Sequence, residues 1–386
     1  MEKPFSDPTW RRAVSTLPTP CIVISEEKLA QNLAILQNIQ EQSGCKILLA
    51  MKAFSSWRTF PILRRVLAGV SVCSLHEARL GAEKFGKEIH AYLPAYRDDQ
   101  FDKIARRSSH IVFNSFSQVQ HYRERSILKG KSMGVRINPE CSQVKYPLYD
   151  PCLPRSRLGV TYSQCTGQNW DGIEGLHCHA LCESEFPAFK ELLSIIENRF
   201  GEHLRRVQWL NLGGGHLLTR PDYDLQGLIE HVRMFRHKYG LDIYLEPGTA
   251  VVQNTAVLVT SVLDITYNGG WQAILDTSAA AHMPDILEMP FRPNILDADK
   301  PGKLPYSYQL GSVSCMAGDI IGDYSFANPL KIGDRLVLMD MAHYTMVKAT
   351  QFNGIRLPET IVFSSDTTKV HRGSKKGYAI FKKMLG

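Results

Sequence analysis

The sequence has no apolar run that approaches the ~20 residues needed to cross a bilayer, so we expect a soluble protein. Its N-terminus, MEKPFSDPTW, lacks the apolar core of a signal peptide. The nine cysteines are an odd number and are scattered from Cys21 to Cys315, without the dense spacing of a disulfide framework. We therefore expect a reducing compartment, the cytoplasm.

The chain also has little net charge outside its C-terminal end. The formal net charge is +7, but residues 364–386 contain six basic residues and one acid, so this tail contributes +5 and the rest of the chain +2. A body with so little charge gives no reason to expect nucleic acid or a membrane as a partner. We expect the basic tail to be a solvated terminus.

Low-complexity tracts and internal repeats are absent from the sequence. With 44% hydrophobic and 22% charged residues, the 386-residue chain has the composition of an ordinary globular protein. This excludes the disordered, collagen-like and fibrous classes. At roughly 150 residues per domain, the length predicts two to three domains.

Short apolar runs alternate with amphipathic stretches up to residue 246. In residues 26–44, Leu29, Leu33, Leu36 and Ile39 recur at helical spacing before a glycine. The runs that predict strands are CIVI (21–24), ILLAM (47–51), VSVCS (70–74), IHAYL (89–93), HIVF (110–113), MGVRIN (133–138), IEGLHCH (173–179), VQWLNLG (207–213) and DIYLE (242–246). About eight strand–helix repeats over ~220 residues favour a parallel (β/α)8 barrel over an open doubly wound sheet.

The pattern changes after Glu246-Pro247-Gly248. The β-branched and aromatic runs that follow are AVLVTSVLDITYN, WQAILDTS, DRLVLMD, TMVKATQF and TIVF. We therefore predict an α/β fold, with a TIM-like (β/α)8 barrel over residues 22–255. A C-terminal all-β domain, a sandwich or barrel, would be formed by residues 256–386 with residues 1–21.

Reactive residues follow several of the predicted barrel strands. Lys52 follows ILLAM, His179 ends IEGLHCH and Glu246 ends DIYLE, while Gly213–Gly215 follow VQWLNL. In a parallel barrel, these strand ends form the active-site rim. We expect burial by its strand to lower the basicity of Lys52, which suits Schiff-base chemistry with an aldehyde cofactor. The glycines allow backbone N–H groups to approach a phosphate.

Together these groups predict pyridoxal phosphate as the cofactor. It needs an amine, a flat side chain against its ring, N–H groups for its phosphate and a carboxylate that keeps its ring nitrogen protonated. A protonated ring favours loss of CO₂, whereas an arginine at that position favours racemisation, so Glu246 predicts a decarboxylase. Each residue alone has a structural explanation, as a rim lysine, a glycine turn or a capping carboxylate.

Several stretches within residues 19–362 resemble the carboxynorspermidine and carboxyspermidine decarboxylases. This family belongs to the alanine-racemase-fold group, with ornithine and diaminopimelate decarboxylases. The stretches are LLAMKAFSSW, SRLGV, GLHCHALCE, NLGGGH, YLEPG, ILDTSAAAHMPDILEMPFRP, CMAGDIIGDYSF and DMAHYTMVKATQFNG. The resemblance implies that the enzyme forms norspermidine or spermidine in polyamine biosynthesis.

The resemblance also implies roles for individual residues. Lys52 would bind the cofactor, His179 would stack on its ring, and Glu246, with Arg136 beside it, would pair with the ring nitrogen. The implied phosphate ligands are Gly213, Gly214, Gly215 and Tyr344, and Gly248 is a further cofactor-binding candidate. Cys315 would return a proton to the α-carbon from the neighbouring subunit of a homodimer with shared active sites. Arg157 and Asp319 would form a salt bridge across that interface.

Three positions depart from the pattern of the group. Met316 replaces an acid of the ornithine and diaminopimelate decarboxylases, which argues against ornithine. Thr249 replaces the arginine of the amino-acid decarboxylases, which argues against diaminopimelate. It also replaces the glutamate that is usual in the carboxynorspermidine decarboxylases, so one amine contact that the resemblance implies is missing; Thr249 itself is a substrate-binding candidate. Cys182 stands where relatives often have a phosphate-binding serine.

The implied substrate carries cationic amines, which acidic side chains complement. Asp276 and Asp285, with His282 between them, are the candidates, although each also fits a capped turn of the β domain.

Several alternatives remain open from the residues. His177, Cys178, His179 and Cys182 lie close in sequence and suggest a zinc site, but their spacing matches no familiar zinc motif. The chain could also decarboxylate another basic amino acid, diaminopimelate or ornithine. A non-catalytic cofactor-binding homologue would lack Lys52 or Cys315, and a racemase would have arginine in place of Glu246.

Overall fold

A computed structural model of the chain describes residues 8–289, 291–364, 368–369 and 377–385. Part of the basic tail, including Arg372, Lys375 and Lys376, lies outside the described residues. Of the residues that the structure describes, 30–251 form one compact unit, and those before and after that range form a second unit. No helix of the described part combines the length and the apolar character that a membrane span requires.

The described strands and helices alternate as far as residue 252, and strands predominate after it. The strands are β1 (Cys21–Ser25), β2 (Lys46–Ala50), β3 (Gly69–Val72), β4 (Glu88–Tyr92), β5 (His110–Phe113), β6 (Ser132–Arg136), β7 (Ile173–His177), β8 (Trp209–Asn211), β9 (Asp242–Leu245), β10 (Ala256–Tyr267), β11 (Trp271–Leu275), β12 (Ala298–Asp299), β13 (Tyr306–Gly311), β14 (Ile320–Phe326), β15 (Arg335–Met339), β16 (Glu359–Phe363) and β17 (Thr368–Lys369). The helices are α1 (Pro8–Ser15), α2 (Glu26–Ser43), α3 (Phe60–Val66), α4 (Leu75–Leu80), α5 (Asp98–Ala105), α6 (Phe116–Tyr122), α7 (Tyr162–Cys165), α8 (Phe186–Leu204), α9 (Leu225–Tyr239), α10 (Thr249–Val252), α11 (Ala279–His282), α12 (Pro284–Glu288), α13 (Thr345–Lys348) and α14 (Gly377–Leu385).

Strands β2 to β9 close into a barrel in chain order, with parallel neighbours. This confirms the predicted (β/α)8 barrel. Local signals define the helices between the strands: the side chain of Ser74 accepts a hydrogen bond from the Glu77 amide to cap α4, and Asp224 caps α9 in the same way. Since parallel strands end on the same side, all eight carboxyl ends lie at one rim.

The first run predicted as a strand, CIVI, lies outside the barrel. β1 pairs antiparallel with β10 and parallel with β16, in the sheet of the second unit. All its residues are buried, so its apolar pattern is the same as that of a barrel strand. The predicted barrel range began at residue 22, whereas the first barrel strand begins at Lys46.

The second unit contains a sheet with the order β12-β14-β13-β11-β10-β1-β16-β17, and β15 also pairs with β10. This confirms the predicted C-terminal all-β domain. The run TMVKATQF was predicted as a strand, and that prediction is wrong because it begins with α13. Tyr344 precedes this helix with φ 51°, which ends the extended backbone.

Candidate active site

The candidate site lies where the barrel strands end. Arg136, His177 and Asn211 are the last residues of β6, β7 and β8, Glu246 directly follows β9, and Lys52 is the second residue after β2. Their position at the carboxyl ends of parallel strands places all five at the same rim.

His179 joins the lysine to the glycine turn. Its Nε2 lies 3.3 Å from Nζ of Lys52, and its Nδ1 accepts a hydrogen bond of 3.2 Å from the Gly214 amide. Burial, with the positive charges of Lys52 and Arg136, holds the pKa of His179 well below its ordinary value. The imidazole is therefore neutral, and because Nδ1 accepts, its proton is on Nε2, where it faces the lysine nitrogen.

Lys52 itself is exposed in this chain. We expected its strand to bury it, and that expectation is wrong. The preceding residue, Met51, is the one that is fully buried. Lys52 lies past the end of β2, at the open rim, where its amine keeps contact with water.

Asn211 fixes Glu246 against the glycine turn. Its Nδ2 donates a 2.7 Å hydrogen bond to Oε1 of Glu246, and its Oδ1 accepts a 2.9 Å bond from the Gly213 amide. The Glu246 amide in turn donates to the Gly213 carbonyl oxygen at 2.7 Å. Asn211 is fully buried, so both ends of its amide are used within the protein.

His177 lies on the other side of the same carboxylate. Its Nε2 is 3.9 Å from Oε2 of Glu246, and neither ring nitrogen has a hydrogen-bond partner among the described residues. Burial, followed by the charges of Arg136 and Lys52, holds the pKa of His177 well below its ordinary value. The Glu246 carboxylate therefore faces a neutral ring rather than a second cation.

Arg136 supports the site from inside the barrel. The side chain is 3% exposed, its Nη2 donates a 2.9 Å hydrogen bond to the His179 carbonyl oxygen, and its guanidinium lies 4.7 Å from the centre of the Tyr92 ring. These contacts fix the backbone from which the His179 ring projects. The positive charge also helps to keep His179 neutral.

The glycine turn packs tightly between neighbouring loops. A Cβ added to Gly215, which has φ 91°, would overlap the Leu181 carbonyl oxygen. The Gly213 and Gly214 amides already donate to Asn211 and His179, which leaves the Gly215 amide without an acceptor among the described residues.

Two further predicted residues lie beside this turn. A Cβ added to Gly248 would overlap Cβ of Ala53, so glycine lets the chain after Glu246 approach the Lys52 loop. Cys182 is half-buried, and burial raises its pKa to about 11, so its thiol is protonated.

Cys315 lies in the second unit, on the loop between β13 and β14. Its side chain is exposed, and its amide donates a 3.0 Å hydrogen bond to Oδ1 of Asn353. Asp319 of the same loop is 2% exposed and accepts hydrogen bonds from Oγ of Ser278 at 2.7 Å, the Ala280 amide at 2.8 Å and Oγ of Ser314. Asp319 therefore anchors the Cys315 loop to α11.

Arg157, the predicted partner of Asp319 across a subunit interface, lies in the barrel unit. Its side chain is exposed, and its carbonyl oxygen accepts a 2.8 Å hydrogen bond from Nδ2 of Asn114. The salt bridge between subunits stays a prediction, and it would add to the three donors that Asp319 already has.

Three predicted substrate-binding residues lie in the second unit, and they differ in the hydrogen bonds that they already make: Asp276, His282 and Asp285. Oδ1 of Asp276 accepts from Oγ1 of Thr260 at 2.6 Å and from the Ser261 amide at 2.9 Å, which ties the end of β11 to β10. Nδ1 of His282 lies 3.0 Å from Oγ1 of Thr277, and burial lowers its pKa to about 4.

Asp285 differs from these two because part of its carboxylate is unsatisfied. The residue is 8% exposed, its Oδ2 lies 3.4 Å from the donor Oγ1 of Thr345, and Oδ1 has no hydrogen-bond partner among the described residues. Burial raises the pKa of Asp285 although Lys348 and His343 lie near. A cationic group at Oδ1 would satisfy it.

Two other predicted residues lie at helix starts. Tyr344 precedes α13 with φ 51° and ψ −47°, a conformation that is rare for a tyrosine and is typically found at functional sites. Thr249 begins α10 and is half-buried.

Sequence reasoning missed three residues of this site. Asn211 and Tyr92 are polar residues at the ends of buried strand runs, and that position was the signal available in the sequence. Cys73, which follows β3, lies within the electrostatic reach of Lys52, Glu246 and Arg136, and burial raises its pKa to about 11. Its contacts depend on the closure of the barrel, which the sequence pattern does not encode.

The residues considered for zinc do not form a group. Among the described residues, the set whose ligand atoms lie within 4.8 Å of one another is Glu88, His90 and His110. These residues begin β4 and β5, at the opposite end of the barrel. Nζ of Lys46 lies 3.5 Å from Oε1 of Glu88, so a cation already neutralises this carboxylate.

The residues at the rim fit pyridoxal phosphate. The cofactor requires an amine for its aldehyde, a flat ring, a carboxylate for its ring nitrogen and N–H donors for its phosphate. Lys52, His179, Glu246 and the Gly215 amide supply these groups at one rim. The neutral state of His179 matters here, because an uncharged ring can stack on the cofactor without repelling the protonated ring nitrogen.

Comparison with known proteins supports this interpretation. The family model described as "Pyridoxal-dependent decarboxylase, C-terminal sheet domain" matches residues 22–342. A carboxyaminopropylagmatine decarboxylase of Synechocystis sp. is 46% identical over 347 residues, which cover 89% of this chain and 90% of the relative. A carboxynorspermidine/carboxyspermidine decarboxylase of Campylobacter jejuni is 39% identical over 377 residues, 94% of this chain and 98% of the relative. The crystal structure of a Campylobacter jejuni carboxynorspermidine decarboxylase, complexed with norspermidine, superposes with a TM-score of 0.88 and covers 95% of this chain and 100% of that one, at 39% identity.

Proposed function

This chain belongs to the pyridoxal-dependent decarboxylase family, and we propose that it decarboxylates carboxynorspermidine or carboxyspermidine to norspermidine or spermidine. The family match confirms the predicted decarboxylase activity and the predicted cofactor, pyridoxal phosphate. The observation that carries the proposal is the hydrogen bond of 2.7 Å between Asn211 and Glu246 at the rim that also carries Lys52.

Each residue of the rim has a distinct task in this mechanism. Pyridoxal phosphate, when bound, supplies an electron sink for the bond that releases CO₂. The Lys52 amine would hold the cofactor through its aldehyde group. Glu246, oriented by Asn211, would keep a proton on the ring nitrogen, and His179 would pack against the ring. The Gly215 amide, Gly213, Gly214, Gly248 and Tyr344 would surround the phosphate, and Arg136 fixes the His179 backbone.

Cys315 is assigned to the return of the proton. When the bond between the α-carbon and the carboxylate breaks, CO₂ leaves and the electron pair stays with the rest of the substrate. The Cys315 thiol then gives its proton to the α-carbon and takes one back from solvent. Cys315 is the exposed one among the nine cysteines, so its thiol can reach a substrate.

We assign this cysteine to a second copy of the chain, in a homodimer with shared sites. Arg157 of one copy and Asp319 of the other would then pair across the interface. The free thiols support a cytoplasmic location, since a reducing compartment preserves them.

The substrate class follows from charge. A carboxylated polyamine carries amines that are cationic at neutral pH. Asp285 offers a buried carboxylate oxygen that has no partner among the described residues, and we assign it to one of these amines, with His282 and Thr249 as further contacts. Asp276 is a weaker candidate because its Oδ1 already accepts two hydrogen bonds.

Carboxyaminopropylagmatine is a second candidate substrate. The observation that favours it is the identity of 46% with the Synechocystis enzyme, against 39% with the Campylobacter enzyme. This substrate ends in a guanidinium instead of an amine, which a carboxylate also complements.

Comparison of CO₂ release tests the proposal. The purified enzyme, loaded with pyridoxal phosphate, would be given carboxynorspermidine, carboxyspermidine, carboxyaminopropylagmatine, diaminopimelate and ornithine in turn. We expect kcat/KM to be highest for carboxynorspermidine or carboxyspermidine. A higher value for carboxyaminopropylagmatine would select the second candidate, and a higher value for either amino acid would contradict both.

A further inference from the structure

The loop that carries Cys315 depends on a side chain from a distant part of the sequence. Oδ1 of Asn353 accepts the hydrogen bond of 3.0 Å from the Cys315 amide. Asn353 has φ 54° and ψ 16°, a left-handed conformation that asparagine adopts more readily than most residues. The backbone conformation of residues 351–356 therefore determines the position of the Asn353 Oδ1 atom.

The C-terminal helix α14 packs against those residues. Nε2 of Gln351 donates to the Gly377 carbonyl oxygen at 3.4 Å. A Cβ added to Gly354 would lie 3.4 Å from Cζ of Phe381, so the phenyl ring covers the turn directly after Asn353. Tyr378 on the same helix is 78% exposed and takes no part in this contact.

The loop is also anchored at both of its ends. At the first end, the Val313 amide donates to the Thr277 carbonyl oxygen at 3.3 Å, and Oγ of Ser312 accepts from the Ala279 amide at 3.2 Å. At the other end, Asp319 accepts hydrogen bonds from Ser278, which caps α11, and from Ala280 of α11, and its own amide donates to the Met316 carbonyl oxygen at 3.0 Å. Cys315 is exposed, so packing of its side chain contributes little to its orientation. Between these two ends, the hydrogen bond to Asn353 fixes the peptide of the cysteine itself.

We infer that Asn353 is a positioning residue for Cys315, and that α14 stabilises it in that role. The inference rests on the proposed function of Cys315 as the proton donor. The C-terminal helix thus contributes to the return of the proton to the α-carbon, although it contains none of the reacting groups.

Substitutions in the full-length, cofactor-loaded enzyme test the inference. Asn353→Gly keeps the left-handed backbone and removes the acceptor, whereas Asn353→Asp keeps an acceptor oxygen. We expect Asn353→Gly to lower kcat about five- to tenfold, with KM and cofactor absorbance unchanged, because one hydrogen bond positions the thiol. Asn353→Asp should recover most of this loss. Phe381→Ala should lower kcat in the same direction, while the matched control Tyr378→Ala should not.

A second readout is independent of turnover. The rate at which iodoacetamide alkylates Cys315, followed by mass spectrometry, should change in Asn353→Gly and Phe381→Ala but not in Tyr378→Ala. If Cys315→Ser lowers kcat but Asn353→Gly leaves both kcat and the alkylation rate unchanged, the inference is wrong and the proposed function stands. If Cys315→Ser retains full kcat, the role of Cys315 is wrong, and the inference falls with it.

Discussion

Asn211 and Glu246 form a buried pair in which one amide fixes both a carboxylate and a backbone turn. Nδ2 of Asn211 donates to Glu246 and its Oδ1 accepts from Gly213. Asn211→Asp would replace the donor with a second carboxylate beside Glu246, and the two negative charges would repel each other. We expect kcat to fall at least tenfold, with weaker cofactor binding. Asn169→Asp makes the same change at an exposed loop position and should leave both unchanged.

Weaker cofactor binding would be measured by titrating each apoenzyme with pyridoxal phosphate. If Asn211→Asp bound the cofactor and turned over like Asn169→Asp, Glu246 would not depend on Asn211, and the assigned geometry of the ring-nitrogen contact would be wrong.

Shared active sites make a prediction about mixed dimers. Lys52→Ala and Cys315→Ala should each be nearly inactive as homodimers. When the two are unfolded together and refolded, heterodimers should form that contain one intact site, which restores up to about a quarter of the wild-type activity. CO₂ release from the mixture measures this recovery. No recovery, with heterodimers demonstrated by mass spectrometry, would place Cys315 and Lys52 of one site in the same chain.

Substitution of Asp285 should weaken substrate binding without lowering the stability of the fold. Because one buried oxygen has no partner among the described residues, Asp285→Asn removes an unfavourable buried charge and should keep or raise the melting temperature. The same change removes the complement of a cationic amine, so KM should rise about tenfold or more. Asp264→Asn, at an exposed position of β10, is the matched control. A lower melting temperature with an unchanged KM would show that Asp285 serves the fold instead.

The histidine at the start of β5 should make stability depend on pH. Burial, with the stacked ring of His90, lowers the pKa of His110 to about 3 from an ordinary value near 6.5. The folded chain therefore binds fewer protons than the unfolded chain between these values, so the free energy of unfolding falls as the pH decreases from 6.5 towards 3.

Urea unfolding at several pH values between 7.5 and 5 measures this effect. His110→Gln should reduce the loss of unfolding free energy on acidification, whereas His237→Gln, at an exposed position of α9, should show the wild-type loss. Equal losses in all three proteins would mean that His110 is not buried as a neutral ring.

The barrel could be predicted from the sequence because most of its strands are short apolar runs followed by an amphipathic helix. The same reasoning failed for β1, since an apolar run has no feature that tells which sheet it joins. It also failed for TMVKATQF, where the backbone of one residue, Tyr344, overrides the β propensity of the residues after it.

The candidate site was predictable where chemistry follows a strand end, as for His179 and Glu246. The exposure of Lys52 was not predictable, because this residue follows a buried run but lies past the end of its strand. The role of Asn211 was equally unpredictable, because its hydrogen bonds to Glu246 and Gly213 form only when the barrel closes. Asp319 shows the same limit, since its donors come from Ser278 and Ala280, about 40 positions earlier in the chain.

The covalent attachment of the cofactor tests the central claim most directly. Borohydride reduction of the cofactor-loaded enzyme fixes pyridoxal phosphate to the lysine that holds it, and digestion followed by mass spectrometry locates that lysine. The account predicts a single modified peptide that contains Lys52, and loss of the visible cofactor absorbance in Lys52→Ala but not in Lys190→Ala, an exposed residue of α8. Modification of another lysine, or unchanged absorbance in Lys52→Ala, would contradict it.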